Sequence, residues 1–237
     1  MKPTIVLVHG AFAESASWDN VIGSLAGTGH TVIAAANPLR GPAGDAAAVG
    51  DLLRTIEGPV VLVGHSYGGA VISNVRADAA QITGLVYVCA FAPEPGETCN
   101  ALAVRFPGST LGDTLRPVPR GGGTTDLYIA AERFHAQFCA DVPAAEAARM
   151  AVTQRPVTLE ALTEPSGERP LWREVPSWFL IGEQDHTIPA ALQRFMAERA
   201  GARHAVEIPG ASHAIAVSHP GVTAELILEA AAVPATA

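Results

Sequence analysis

The 237-residue chain has one lysine, Lys2, and otherwise uses arginine for its positive charge; 15 basic against 23 acidic residues give a formal net charge of −8. A surface short of positive charge argues against nucleic acid or an anionic membrane as a main partner, because both reward basic groups. Cysteine is scarce too. Cys89, Cys99 and Cys139 are too few and too irregularly spaced for a disulfide framework or a CxxC metal site, so a reduced, cytoplasmic setting without a metal is expected. No uninterrupted apolar run reaches the roughly 18 residues that a membrane span needs. The opening MKPTIVLVHG lacks the apolar helix and cleavage site of a signal peptide and reads directly as a strand.

What is present points to one globular α/β domain. Hydrophobic residues make up 49% of the chain and charged residues 16%, a balance that suits a packed core. Continuous apolar runs at Thr4–Val8, Thr31–Ala35, Pro59–Gly64, Thr83–Ala90, Ser177–Gly182 and His204–Pro209 predict strands buried on both faces. Helix-compatible segments lie between them at Ser17–Leu25, Asp45–Ile56, Tyr67–Asp78, Pro189–Ala200 and Pro220–Ala232. The alternation predicts a mostly parallel sheet with helices on both faces. It breaks between about Pro93 and Pro176, where DLYIAAERFHAQFCA, PAAEAARMAV and TLEALTE read as helical. This stretch is expected to pack as a cap over the strand ends, with Gly121–Gly123 as a flexible joint. The division is then a core of residues 1–93 and 176–237 and a cap of residues 94–175.

The chemistry is carried by GHSYG, Gly64–Gly68, a G-x-S-x-G match. Five residues with three fixed positions are common; the apolar strand before them and the small-residue helix start after them are what give them weight. In that setting Ser66 sits on a sharp strand-to-helix turn with its hydroxyl projecting above the sheet. Gly64 and Gly68 suit the close passage of strand and helix. The competing reading is a serine that merely caps a helix.

A serine hydroxyl needs a base and an orienting acid. His213, after the last predicted strand in IPGASHAIAV, is expected at the same sheet edge as Ser66. His204 begins that strand, at the wrong end; His219 opens the final helix, His135 lies in the cap, His30 ends a helix, and His65 is expected to pack beside the serine. For the acid, GEQDHTIP offers Glu183 and Asp185. Asp185 is preferred because Ser, Asp, His is the chain order used with such an elbow. Glu94, past the preceding strand, is the second candidate. The oxyanion of a tetrahedral intermediate needs N–H donors. The Tyr67 amide follows the nucleophile; the Ala11 amide in HGAFAESASW is the first choice for its partner and the Phe12 amide the second. Phe12 and Trp18 are candidate pocket walls, as are Phe134 and Phe138 in the cap, though each could equally be a packing aromatic.

Together VLVHGAF, VGHSYGG, GEQDHTIP and PGASH resemble the α/β-hydrolase superfamily over essentially the whole chain. The compact size and early HGA are similar to its carboxylesterase, methyl esterase and hydroxynitrile lyase branch. The resemblance implies a Ser66–His213–Asp185 triad, a helical cap after the sixth core strand, a small-molecule ester substrate, and neither cofactor nor metal. Dehalogenases and epoxide hydrolases of the superfamily carry aspartate where this chain has Ser66. Hydroxynitrile lyases carry a lysine just after the histidine, where this chain has Ala214. The expected activity is therefore hydrolysis of a small or medium carboxylic ester, thioester or lactone. The alternatives are a cofactor-free lyase, cyclase or perhydrolase using the same triad, and a ligand-binding receptor with residual activity. Oligomeric state is not legible.

Overall fold

A computed structural model of the chain describes residues 1–233. Strands β1 (Thr4–Val8), β2 (Val32–Ala35), β3 (Pro59–His65) and β4 (Gln81–Val88) come first, with helices α1 (Asp19–Leu25), α2 (Pro42–Leu53) and α3 (Tyr67–Ser73) between them. The middle of the chain holds α4 (Cys99–Ala103), β5 (Leu115–Pro119), β6 (Thr125–Ile129), α5 (Ala131–Phe138), α6 (Ala144–Thr153), β7 (Val157–Thr158) and α7 (Leu159–Thr163). The chain then returns through β8 (Ser177–Gly182), α8 (Ala190–Arg199), β9 (His204–Ile208), α9 (Ile215–Ser218) and α10 (Pro220–Ala231).

Six strands form one parallel sheet in the order β2-β1-β3-β4-β8-β9. Its two faces are packed by different sets of side chains. Val6, Val8, Leu62, Tyr87, Phe179 and Ile181 point into one apolar cluster; Ile5, Leu7, Val61, Val63, Trp178 and Leu180 point into the other. Every second residue faces each cluster, so the inner strands read as apolar runs; the edge strand β9, expected to be buried on both faces, is instead largely exposed, with His204 and Glu207 at the surface. The chain runs from β1 outward to β2, then crosses to β3 on the other side. The loops after β1 and β3 therefore lie side by side at the sheet's carboxyl edge, where the direction of the crossovers switches.

The middle segment differs from a purely helical reading. Thr125–Ile129, expected as the start of a helix, is a strand in a three-stranded antiparallel sheet, β5-β6-β7. Gly121–Gly123 is the turn of the β5–β6 hairpin rather than a joint between units. Gly122 and Gly123 have φ of 98° and 87°, and the Arg120 amide bonds the Thr124 carbonyl at 2.9 Å. The signal was a β-rich TDLYI beside a glycine turn, which the Ala-rich helix behind it obscured. Four strands of the parallel sheet, not six, precede this excursion in the chain. Leu127, Ile129, Phe134, Phe138 and Val157 of the excursion share one apolar cluster with the sheet. Arg40, after β2, and Asp126 on β6 form an ion pair across the junction.

Candidate active site

Ser66 stands between β3 and α3 with φ 56° and ψ −123°. A β-carbon on Gly64 would lie 2.6 Å from the Gly68 carbonyl oxygen, so only glycine lets strand and helix pass here. Ser66 occupies the N-cap position of α3, yet its side chain makes no capping hydrogen bond. That removes the helix-capping role. Left-handed backbone at a non-glycine residue costs energy and concentrates at functional sites. Here it recurs just beyond the carboxyl ends of four adjacent strands: Phe12 (60°), Leu39 (62°), Ser66 (56°) and Cys89 (43°).

The other two members of the expected triad meet each other. His213 Nδ1 and Asp185 Oδ2 are 2.7 Å apart, with both side chains fully buried. Nδ1 faces a carboxylate, so it carries the proton, and Nε2 presents a lone pair. Nε2 is buried and, among the described residues, has no hydrogen-bond partner. The structure thus holds an oriented histidine with its basic nitrogen unengaged, a geometry that commonly tightens onto the nucleophile only with substrate. Ser66 and the histidine are linked through His65, which precedes the serine. Its Nε2 donates to the His213 carbonyl at 2.9 Å, and the two rings lie 4.8 Å apart.

Asp185 follows β8 after a short turn and is held by backbone as well as by His213. Its Oδ1 accepts the Thr187 and Ile188 amides, each at 2.8 Å. Glu183 instead turns outward, where it accepts the Gly210 amide. Glu94 pairs with Arg173 and is not bonded to His213. The remaining histidines also lie elsewhere: His204 pairs with Glu229, His135 bonds the Val142 carbonyl, His30 bonds the Pro3 carbonyl and His219 bonds Ser218.

On the other flank, Gly10 and Ala11 bring the β1 loop against Ser66. The Phe12 amide is already spent on the Arg155 carbonyl at 3.0 Å, while the Ala11 amide makes no hydrogen bond among the described residues. Tyr67 is the first residue of α3, where helix geometry leaves the N–H groups without intrahelical acceptors. Its phenol is anchored far from that amide: it donates to Asp45 Oδ2 at 2.8 Å, and the Arg40 amide bonds both oxygens of the same carboxylate. Burial pushes the Asp45 carboxyl above its ordinary range. Burial also pushes the Tyr67 phenol up, with the Asp45 charge adding to the shift.

His65 does pack beside the serine, as expected, and two further buried groups, His9 and Cys89, border the site. Burial drives the His65 imidazole down to about 3 and that of His9 to about 4, so both are neutral. His9 Nε2 accepts the Asn37 amide at 3.1 Å, bracing the β1 loop against the segment after β2. Cys89 Sγ lies within 4.8 Å of ligand-type atoms of Asp185 and His213, the one cluster among the described residues with the makings of a metal site. Its chemistry does not suit one. Burial raises the thiol well above its ordinary value, and the Asp185 oxygens are already committed to hydrogen bonds.

A cavity of about 370 Å³ opens between the β1 loop, α6 and α9. Phe12, Met150 and Val217 form its apolar wall, with Glu14, Asp19 and Glu146 among its charged groups. Of the expected pocket aromatics, Phe12 borders it. Trp18 is buried edge-on to His65; Phe138 packs edge-on to His213 at 4.9 Å, with Phe134 behind it.

The model of the alpha/beta hydrolase family matches residues 5–226 of the chain. The chain belongs to the alpha/beta hydrolase family. A pyrethroid hydrolase of Sphingobium wenxiniae is 31% identical over 98% of this chain and 88% of its own length. A carbendazim hydrolyzing esterase of a Nocardioides species is 38% identical over 41% of this chain and 46% of its own. A crystal structure of a pyrethroid hydrolase superposes with a TM-score of 0.81 at 26% identity, covering 99% of both chains.

Proposed function

We propose that this alpha/beta hydrolase is a serine carboxylesterase that cleaves a small or medium carboxylic ester, thioester or lactone through an acyl-enzyme on Ser66. The buried 2.7 Å Asp185–His213 pair carries the reading, because it leaves one basic nitrogen unengaged at the sheet edge that also bears an uncapped, strained serine. Relatives named for hydrolysing pyrethroids and carbendazim support ester hydrolysis over other uses of the fold.

The proposed steps use the groups this geometry brings near one another. His213 Nε2 takes the Ser66 hydroxyl proton as the oxygen attacks the carbonyl carbon. Asp185 holds the imidazole in the Nδ1–H tautomer and stabilises the imidazolium. The Ala11 and Tyr67 amides donate to the oxyanion; the Phe12 amide, bonded to Arg155, does not serve. His213 then gives its proton to the leaving alkoxide or thiolate, the acyl group remains on Ser66, and water activated by His213 releases the acid. No cofactor or metal enters any step. Residues 94–175 act as the cap, and the substrate approaches through the cavity beside Phe12. Ser66→Ala tests the mechanism on an activated aryl ester. Turnover is expected to fall by roughly four to six orders of magnitude, because triad members act as a unit; near-normal turnover would refute it.

A further inference from the structure

Asp185 has a fourth partner that the triad does not require. Gln193, on the first turns of α8 and only 1% exposed, directs Nε2 to Asp185 Oδ2 at 2.9 Å and to the Ile188 carbonyl at 2.7 Å. Oδ2 is the oxygen that also accepts His213 Nδ1. Both neighbours of Nε2 are acceptors, so the amide cannot flip without facing oxygen to oxygen. Its own Oε1 is left buried with no partner among the described residues. A buried unsatisfied carbonyl is costly, and an apolar residue of similar size would avoid it. The cost is explained if the donor is needed at the carboxylate.

We propose that Gln193 is a positioning residue for the acid of the triad. Oδ1 is fixed by two backbone amides, but Oδ2 would be fixed by His213 alone, and His213 changes protonation in each cycle. The Gln193 donor holds Oδ2 in place through that change and draws negative charge from it. The carboxylate therefore orients the imidazole without overstabilising the imidazolium, which must lose its proton again. The other titratable groups around the pair are the His65 imidazole and the Cys89 thiol, both neutral through burial, and Asp141, which bonds Ser212 beside the histidine. The Cys89 thiol, a weak donor, lies within 4.8 Å of the carboxylate, while Gln193 supplies the amide hydrogen bond to Oδ2.

The inference rests on the triad reading, so Asp185→Asn is measured beside Gln193→Met and Gln193→Glu. Removing the donor leaves more charge on Oδ2, favours protonated His213 and moves the acid limb of kcat/KM to higher pH. Gln193→Met is expected to lower kcat about tenfold, the weight of one charge-assisted hydrogen bond, with KM little changed. The acid limb should move up by roughly half a unit or more, and further in Gln193→Glu, where a second carboxylate faces the first. A folded Gln193→Met with unchanged kcat and a superimposable pH profile overturns the proposal. If that variant does not fold, the near-isosteric Gln193→Glu decides on the same profile. Wild-type turnover in Asp185→Asn removes the triad reading itself; its loss together with unaltered Gln193 variants removes only the role of Gln193.

Discussion

Gly10 lies so close to Ser66 that a β-carbon at position 10 would stand 2.6 Å from Ser66 Cβ and 2.8 Å from the His65 carbonyl oxygen. The loop after β1 and the turn after β3 thus share a boundary with no room for a methyl group. Gly10→Ala must displace either Ser66, the proposed nucleophile, or the loop that carries the Ala11 amide. The expected result is a loss of roughly a hundredfold or more in kcat, comparable to losing an oxyanion donor. Steady-state kinetics on an activated ester, with circular dichroism to confirm the fold, would check this.

The Tyr67 phenol reaches Asp45 at 2.8 Å, from the residue whose amide we propose as an oxyanion donor. Tyr67→Phe removes the donor and leaves a buried carboxyl with one partner fewer, which should cost about 1–3 kcal/mol in chemical denaturation. Asp45→Ala strips the Arg40 and Gly41 amides of their acceptor as well and should cost more. If the Tyr67 amide donates to the oxyanion as proposed, both variants should lose kcat rather than gain KM.

Much of this site was legible because each element ends in a residue type with few other reasons to be there. Six largely apolar runs announced six strands, the inner ones because a sheet covered on both faces excludes polar alternation. Ser66, Asp185 and His213 were singled out from strand ends, and the structure pairs the last two. What escaped was set by tertiary contact: a glutamine eight residues past Asp185, the charge state of His9 and His65, and the occupation of the Phe12 amide by Arg155. The β5–β6 hairpin was missed because its second strand runs directly into an Ala-rich helix.

Acid should destabilise the protein through its buried histidines. Burial lowers His65 from 6.5 to about 3 and His9 from 6.5 to about 4. The unfolded chain binds protons below pH 6.5 that the folded chain refuses, so stability is full above that pH. It is lost as pH falls toward the folded values. Each histidine can contribute a slope of up to about 1.4 kcal/mol per pH unit in that window. Asp45, raised by burial, acts in the opposite sense, so the informative comparison is with His65→Gln, which keeps an N–H donor for the His213 carbonyl. Urea denaturation between pH 4 and 7 should give a shallower dependence for that variant.

Phe12, from the β1 loop, and Met150, from α6, both line the cavity. Widening it should favour bulkier substrates. Phe12→Ala and Met150→Ala are each expected to raise the kcat/KM ratio of a bulky to a small aryl ester by about tenfold, the scale of pocket discrimination for apolar groups. A ratio unchanged in both variants would remove this cavity from the substrate path.

The central claim is that Ser66 forms a covalent bond during turnover. A fluorophosphonate probe followed by intact-mass and peptide mass spectrometry measures it directly. One phosphonyl group per chain, mapped to the peptide bearing Ser66, lost in Ser66→Ala and slowed in His213→Ala, is the predicted result. Labelling at another residue, or equal labelling of the Ser66→Ala variant, would contradict it.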